Sequence, residues 1–151
     1  MRRAFPVIVI LLAGCVAQGP KYQSAGVTPE RGEGVIYVYR PKGNWVVRGE
    51  NPYIQIGDDG LGALRSGGFL SKAVPAGEYK VIVRQSLLLM PVWSDSVEVT
   101  VADGGSAYVK VDQRYTQFGA DSGVSARQQI FIQEVDSLTG QAEIAETRSN
   151  N

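Results

Sequence analysis

The sequence predicts an all-β domain, a compact antiparallel β-sandwich of about seven or eight short strands, and three observations carry that reading. Short runs rich in β-branched and aromatic residues recur from Val35 to Val135. Several alternate apolar and polar residues with period two, as half-buried strands do. Turns bearing glycine or proline separate them, and no long run has helical periodicity. A small closed barrel is the alternative architecture.

Val35-Ile36-Tyr37-Val38-Tyr39-Arg40 is the first strand, ended by Pro41. Tyr37 and Tyr39 fall on one face, Ile36 and Val38 on the other, and the tyrosines read as core or sheet-face residues rather than ligand stackers. Tyr53–Ile56 is the second strand. Asp59-Gly60 then reads as a tight hairpin turn, because both residue types tolerate positive φ, and Leu61–Leu64 returns. Phe69–Val74 is a further strand, stopped by Pro75-Ala76-Gly77, where Pro75 fixes φ and Gly77 permits positive φ. In Glu78–Gln85, Tyr79, Val81 and Val83 alternate with Lys80, Ile82 and Arg84. Val97, Val99 and Val101 share a face of the strand Val92–Val101.

Asp103-Gly104-Gly105 turns the chain into Ser106–Tyr115, with Ala107, Val109 and Val111 on one face and Tyr108, Lys110 and Asp112 on the other. Thr116 to Arg127 reads as a loop, and Gln129–Val135 as the last clear strand. The tail Thr139–Thr147 fits either a short helix capped by Ser137 or Thr139 or an edge strand; its Ala, Glu and Gln favour the helix.

Composition narrows the function classes. The chain has 151 residues, enough for one domain, with 15 basic and 15 acidic residues and no net field to attract nucleic acid or anionic lipid. It has no histidine, which removes the usual general base and the commonest zinc ligand together. Neither Ser66-Gly67-Gly68 nor Gly104-Gly105-Ser106 leads into the Lys-Ser/Thr pair of a phosphate loop, and no calcium loop is present. Asp58 and Asp59 read as turn solvation. Asp95 and Glu98, three apart on a strand, fall on opposite faces. No catalytic residue, metal ligand or cofactor site is therefore expected, and the domain reads as non-catalytic.

The amino terminus gives an address. Met1-Arg2-Arg3 is basic, Ala4–Leu12 is apolar, and Ala13-Gly14 precede the one cysteine, Cys15: the three parts of a secretory signal. The apolar run is too short for a mature spanning helix, which needs about 20 residues. Leu12-Ala13-Gly14-Cys15 resembles the lipobox of bacterial lipoproteins at all four positions. That resemblance implies cleavage before Cys15 and a covalent lipid on its thiol, and Val16 rather than Asp after it implies the outer membrane, facing the periplasm. The expected organisation is a cleaved signal peptide over 1–14, a lipidated Cys15 with a flexible tether over 15–33, and a β-sandwich domain over 34–148.

Ile36-Tyr37-Val38-Tyr39-Arg40-Pro41 resembles the I-Y-V-Y-R-P signature of an uncharacterised domain-of-unknown-function family of bacterial lipoproteins. Phe69, the turn Val74-Pro75-Ala76-Gly77-Glu78-Tyr79 and the strand Tyr108-Val109-Lys110-Val111 fit the same pattern. The domain is also similar to the surface β-domains called PEGA. Both resemblances imply an envelope-anchored sandwich and bring no catalytic residues with them.

Three stretches carry candidate contact residues: Trp45 in Asn44–Arg48, Leu88 and Trp93 in the apolar run Ser86–Trp93, and Tyr115 and Phe118 in Arg114–Arg127. The leading expectation is an envelope lipoprotein whose sandwich binds a protein partner or cell-wall component, with the membrane as its second partner and nucleic acid as none. A periplasmic small-ligand carrier is the alternative, and a carboxylate-dependent hydrolase built around Asp95 a further one.

Overall fold

The computed structural model describes residues 17–23, 27–43, 51–87, 90–120 and 123–150, with backbone alone for 86–87, 90–93, 113–120 and 123–129. It is a two-sheet β-sandwich. The strands are β1 (Glu33–Tyr39), β2 (Tyr53–Ile56), β3 (Asp59–Ala63), β4 (Gly68–Pro75), β5 (Gly77–Leu87), β6 (Met90–Val101), β7 (Ser106–Ala120), β8 (Gly123–Val135) and β9 (Arg148–Ser149), with one helix, α1 (Ser137–Ile144), before β9. One sheet has the order β8-β7-β1-β4-β9, the other β3-β2-β5-β6.

The pairing is mixed, not purely antiparallel. β1 runs parallel to β7, from Val35 opposite Ser106 to Tyr39 opposite Lys110, and β9 runs parallel to β4. Both pairs have helices, arches or whole sheets between their members, which parallel neighbours need. The facing rows of the two sheets form the core: Ile36 and Val38 from β1 meet Val81 and Val83 from β5, Val99 and Val101 from β6, and Val109 and Val111 from β7. These are the alternate positions of each strand, so period two in the sequence becomes one buried face.

Turn chemistry differs from the sequence expectation in two places. The β2–β3 turn is Gly57-Asp58, with Gly57 at φ 57°, and Asp59 and Gly60 already belong to β3. The left-handed position went to a glycine two residues earlier than the Asp-Gly pair, and Gly60 lies under the Tyr53 ring, where a Cβ would come within 2.3 Å of the hydroxyl. In the β4–β5 connection Gly77 begins the strand without a positive φ; Ala76 alone spans from one sheet to the other.

Two further expectations are corrected. Thr116–Arg127 is a hairpin: β7 and β8 pair from Tyr108–Val135 out to Ala120–Gly123. The tail is helical, but its cap is Asp136, whose carboxylate accepts from the Leu138 and Thr139 N–H groups at 3.1 and 3.0 Å.

The hydrogen bonds define two ends of the sandwich. At one, the Gly32 N–H donates to Asp103 Oδ1, the Ala76 N–H to the Gly32 carbonyl and the Gly104 N–H to the Glu33 carbonyl. At the other, Ser66 takes the Ala17 N–H on its carbonyl and the Gly43 N–H on its hydroxyl, while the Arg40 N–H donates to Gly68 and Leu64 to Pro52. β1, β5 and β7 all run from the Asp103 end toward the Ser66 end. β1 stops at Tyr39, but β7 continues ten residues past its partner Lys110, paired with β8 alone, and β5 continues past Arg84, the partner of Tyr53 at the start of β2.

Candidate functional site

The outer face of the five-stranded sheet is not bare, and its covering is where the polar chemistry gathers. Val35, Tyr37 and Tyr39 of β1 and Tyr108 of β7 form a second cluster there with Ile144 of α1. β1 is therefore buried on both faces. The helix reaches the sheet because Gly140 sits on Tyr108: a Cβ at Gly140 would lie 2.4 Å from the Tyr108 Cβ.

The rest of the cover is the segment 17–23, expected from the sequence to belong to a flexible tether. It lies against the domain instead. Ala17 is 3% exposed, the Gly19 N–H donates to Ser149, and the Tyr22 N–H to Thr147. The Tyr22 ring meets Tyr37 and Phe69 edge-on, with centroids 5.4 and 5.6 Å away, and Tyr37 stacks on Tyr108 at 5.3 Å. These edge-to-face contacts, not glycine content, decide the fate of the segment. Burial raises the pKa of the Tyr22 and Tyr37 phenols, and the Tyr22–Tyr108 hydroxyl contact at 3.4 Å raises that of Tyr22 further.

Beside this aromatic group is one ionic group. Tyr39, fully buried, donates its hydroxyl to Glu143 at 2.6 Å, and Lys110 Nζ donates to the other carboxylate oxygen at 2.7 Å. The lysine, then the tyrosine, holds the Glu143 carboxyl below its ordinary range; burial, then Glu143, pushes the Tyr39 phenol up. The group borders a cleft of about 310 Å³ lined by Pro41, Lys42, Lys110, Glu143, Glu146 and Thr147. A second cleft of about 260 Å³ lies between the 17–23 segment and Tyr37, Phe69 and Ser71. The first is at the bottom of the roughly 300–1,000 Å³ range of small-molecule sites and the second is below it. The first pairs two lysines with two glutamates, so it offers no excess charge to an ionic ligand.

Of the residues named from the sequence, Cys15, Trp45 and Leu88 lie outside the described residues. Trp93 is on β6 opposite Gln85, and Tyr115 and Phe118 are on β7 opposite Gln128 and Ser125. Trp93, Tyr115 and Phe118 stand on strand stretches that extend toward the Ser66 end. Asp95 lies opposite core-facing Val83, and its Oδ1 accepts from the neighbouring Ser96 N–H at 2.8 Å; Glu98 lies opposite Lys80 on the other face. Asp59 is ion-paired with Lys72 across the β3–β4 side. Among the described residues no group of three or more acidic, cysteine or histidine side chains is placed to hold a metal.

Residues 30–124 match the family described as protein of unknown function, DUF2846. The chain belongs to the DUF2846 family. The matched region runs from the turn before β1 to the first two residues of β8, so it holds β1 to β7 and leaves out most of the edge strand β8 as well as the cover. Segment 17–23, α1 and β9 lie outside it, so in this DUF2846 protein Tyr22 and Glu143 reach matched residues, Tyr37, Tyr39 and Lys110, from unmatched ones. A comparison with curated proteins found no match.

Sequence reasoning missed the Tyr39–Glu143–Lys110 group and the docking of Tyr22. The sequence did carry one signal: a strand with β-branched or aromatic residues at every position from Val35 to Tyr39 is a strand buried on both faces, which requires a cover.

Proposed function

We propose that this DUF2846 protein is a lipid-anchored envelope protein whose β-sandwich is a non-catalytic binding module for a protein partner or cell-wall component. The lipobox-like Leu12-Ala13-Gly14-Cys15 supports the anchor, with diacylglycerol on the Cys15 thiol and the domain on the periplasmic side of the outer membrane. One structural observation carries the reading: Ala17, two residues after Cys15, is packed at the Ser66 end of the sandwich. An anchor there would hold the module in one orientation, which suits docking.

The non-catalytic part rests on the titrating groups. Active sites poise acids and bases near working pH. Here the shifts run the other way: phenols are kept neutral, while Glu143 and Asp136 are kept ionised by the bonds they accept. Among the described residues each shifted group has a structural use, in the ion pair, the cap or the aromatic cover.

The test is cross-linking in intact cells followed by capture and mass spectrometry, comparing wild type with Cys15→Ala, and labelling both with a palmitate analogue. Label on wild type alone, with one dominant cross-linked partner, is the expected result. Absence of label on wild type removes the anchor, and absence of any specific partner removes the binding module.

A further inference from the structure

Lys42 and Glu146 line one cleft without closing on each other. We propose that this cleft, beside Tyr39, Glu143 and Lys110, binds a zwitterion: the carboxylate and ammonium of an α-amino-acid centre, with Lys42 taking the carboxylate and Glu146 the ammonium. This deepens the binding-module reading, by naming the chemistry its ligand presents, and rests on it.

The first argument is which charges are spent. Two lysines and two glutamates line the cleft. Glu143 accepts a hydrogen bond on each carboxylate oxygen, from Tyr39 and from Lys110, and is satisfied within the fold. Lys42 and Glu146 are exposed, and among the described residues neither has an ion-pair partner. A cleft with no excess charge favours neither a plain anion nor a plain cation. Either would satisfy one of these two groups and leave the other facing it. A zwitterion satisfies both. Lys110 gives one of its three N–H groups to Glu143, so it can donate a further bond to the same ligand carboxylate.

The second argument is that separate elements hold the two free charges. Lys42 lies just past β1, and its stem rests over Gly67: a Cβ at Gly67 would come 2.7 Å from the Lys42 Cγ. The next N–H, of Gly43, donates to the Ser66 hydroxyl at 3.1 Å. Glu146 stands on the turn that ends α1. Its N–H donates to the Glu143 carbonyl at 3.3 Å, and the Thr147 N–H to the Ile144 carbonyl at 2.8 Å, which tightens that turn. The cleft is a seam between the matched region, which brings both lysines, and the cover, which brings both glutamates. Carboxylate and ammonium are thus recognised from different parts of the fold.

The third argument is size and polarity. About 310 Å³ gives room for one amino-acid centre and not for a folded partner. An apolar ligand would strip water from both free charges and return nothing, which is costly. Free amino acids carry the required centre. So do cell-wall stem peptides wherever a diamino acid keeps one α-carboxylate and one α-ammonium outside the peptide chain.

The experiment titrates the full chain, purified in detergent, with meso-diaminopimelate, glycine, pimelate and cadaverine by calorimetry. The first two carry the zwitterion; pimelate lacks the ammonium and cadaverine the carboxylate. Saturable binding of meso-diaminopimelate is expected, with pimelate and cadaverine weaker by about tenfold or more, the loss of one charge-assisted bond. Lys42→Gln and Glu146→Gln should each weaken meso-diaminopimelate by a like factor and leave circular dichroism unchanged, since both side chains are exposed. Sedimentation with isolated cell-wall sacculi separates the sources. A chain carried down by sacculi and released by meso-diaminopimelate takes the centre from the wall. A chain that binds glycine as tightly and stays in solution takes it from free amino acids, which keeps the site. Pimelate binding as tightly as meso-diaminopimelate, or either variant binding like wild type, overturns the site. A chain that sediments with sacculi but ignores meso-diaminopimelate also overturns it and leaves the binding module standing.

Discussion

The Tyr39 hydroxyl and the Glu143 carboxylate meet at 2.6 Å across 104 residues of chain, joining the central strand of the sandwich to the helix that covers it. Lys110 completes the group from β7. Because Tyr39 is buried, removing the carboxylate strands a hydroxyl and an ammonium together.

The pH dependence of stability follows from that group. The folded pKa of Glu143 lies below its ordinary 4.5, so its contribution is complete above that value and is lost as pH falls through the folded pKa. Glu143→Gln should lower stability near neutral pH by about 1 kcal/mol, discounted for partial exposure, and flatten the loss between neutral and acidic pH. Urea titrations of both chains over that range measure it; a variant with an unchanged acid slope would refute the role given to Glu143.

Alkaline titration reports the covered tyrosines. Tyr22, Tyr37 and Tyr39 have folded pKa values above the ordinary 10.0. Their contribution is complete below pH 10 and is lost as pH rises through the folded values, because the unfolded chain releases those protons first. These three phenols should ionise only as the fold opens, seen as a late absorbance step near 295 nm that coincides with loss of circular dichroism. Full ionisation before unfolding would contradict their burial.

Gly140→Ala sets two effects against each other. Alanine improves helix propensity by about 1 kcal/mol. Its Cβ would lie 2.4 Å from the Tyr108 Cβ, which cannot swing aside as a side-chain tip can, and such overpacking costs about 1–3 kcal/mol. Packing should win, so the variant should melt lower and exchange the α1 amides faster. A more stable variant would show that α1 does not sit on Tyr108.

Tyr22→Ala tests the docked segment. It removes two edge-to-face ring contacts and should cost about 1–3 kcal/mol. Limited proteolysis should then cut near Lys21 at low protease, where wild type resists. Equal cutting of the two chains would mean that 17–23 is not held by the ring.

Local pattern was legible where local physics decides. Tyr53–Ile56 has the same bounds in sequence and structure, and the valines of β6 occupy the expected face. What was illegible is partner identity. Period two says that Ile36 and Val38 share a face but not that β1 pairs in parallel with Ser106–Lys110, since alternation is the same in either direction. Thr116–Arg127 reads as a loop because its residues are polar and glycine-bearing, yet cross-strand pairing of Thr116–Ala120 with Gly123–Arg127 makes a ladder, which propensity alone does not foresee. Tyr22 looked like part of a linker because its neighbours are Gly, Pro and Lys; its docking depends on Tyr37 and Phe69, which are distant in sequence. The candidate site failed to show for the same reason: Glu143 sat in an ambiguous tail, and nothing near it in sequence names Tyr39.

The bonds from Gly19 to Ser149 and from Tyr22 to Thr147 also set a clock. A chain made from its amino terminus offers these early residues their partners only when its last residues have emerged. Until then the Gly19 and Tyr22 N–H groups have no acceptor to close on. Completion of synthesis ends that interval. A chain halted before Thr147 should keep the interval open, with Lys21 cut by protease more readily than in the complete fold.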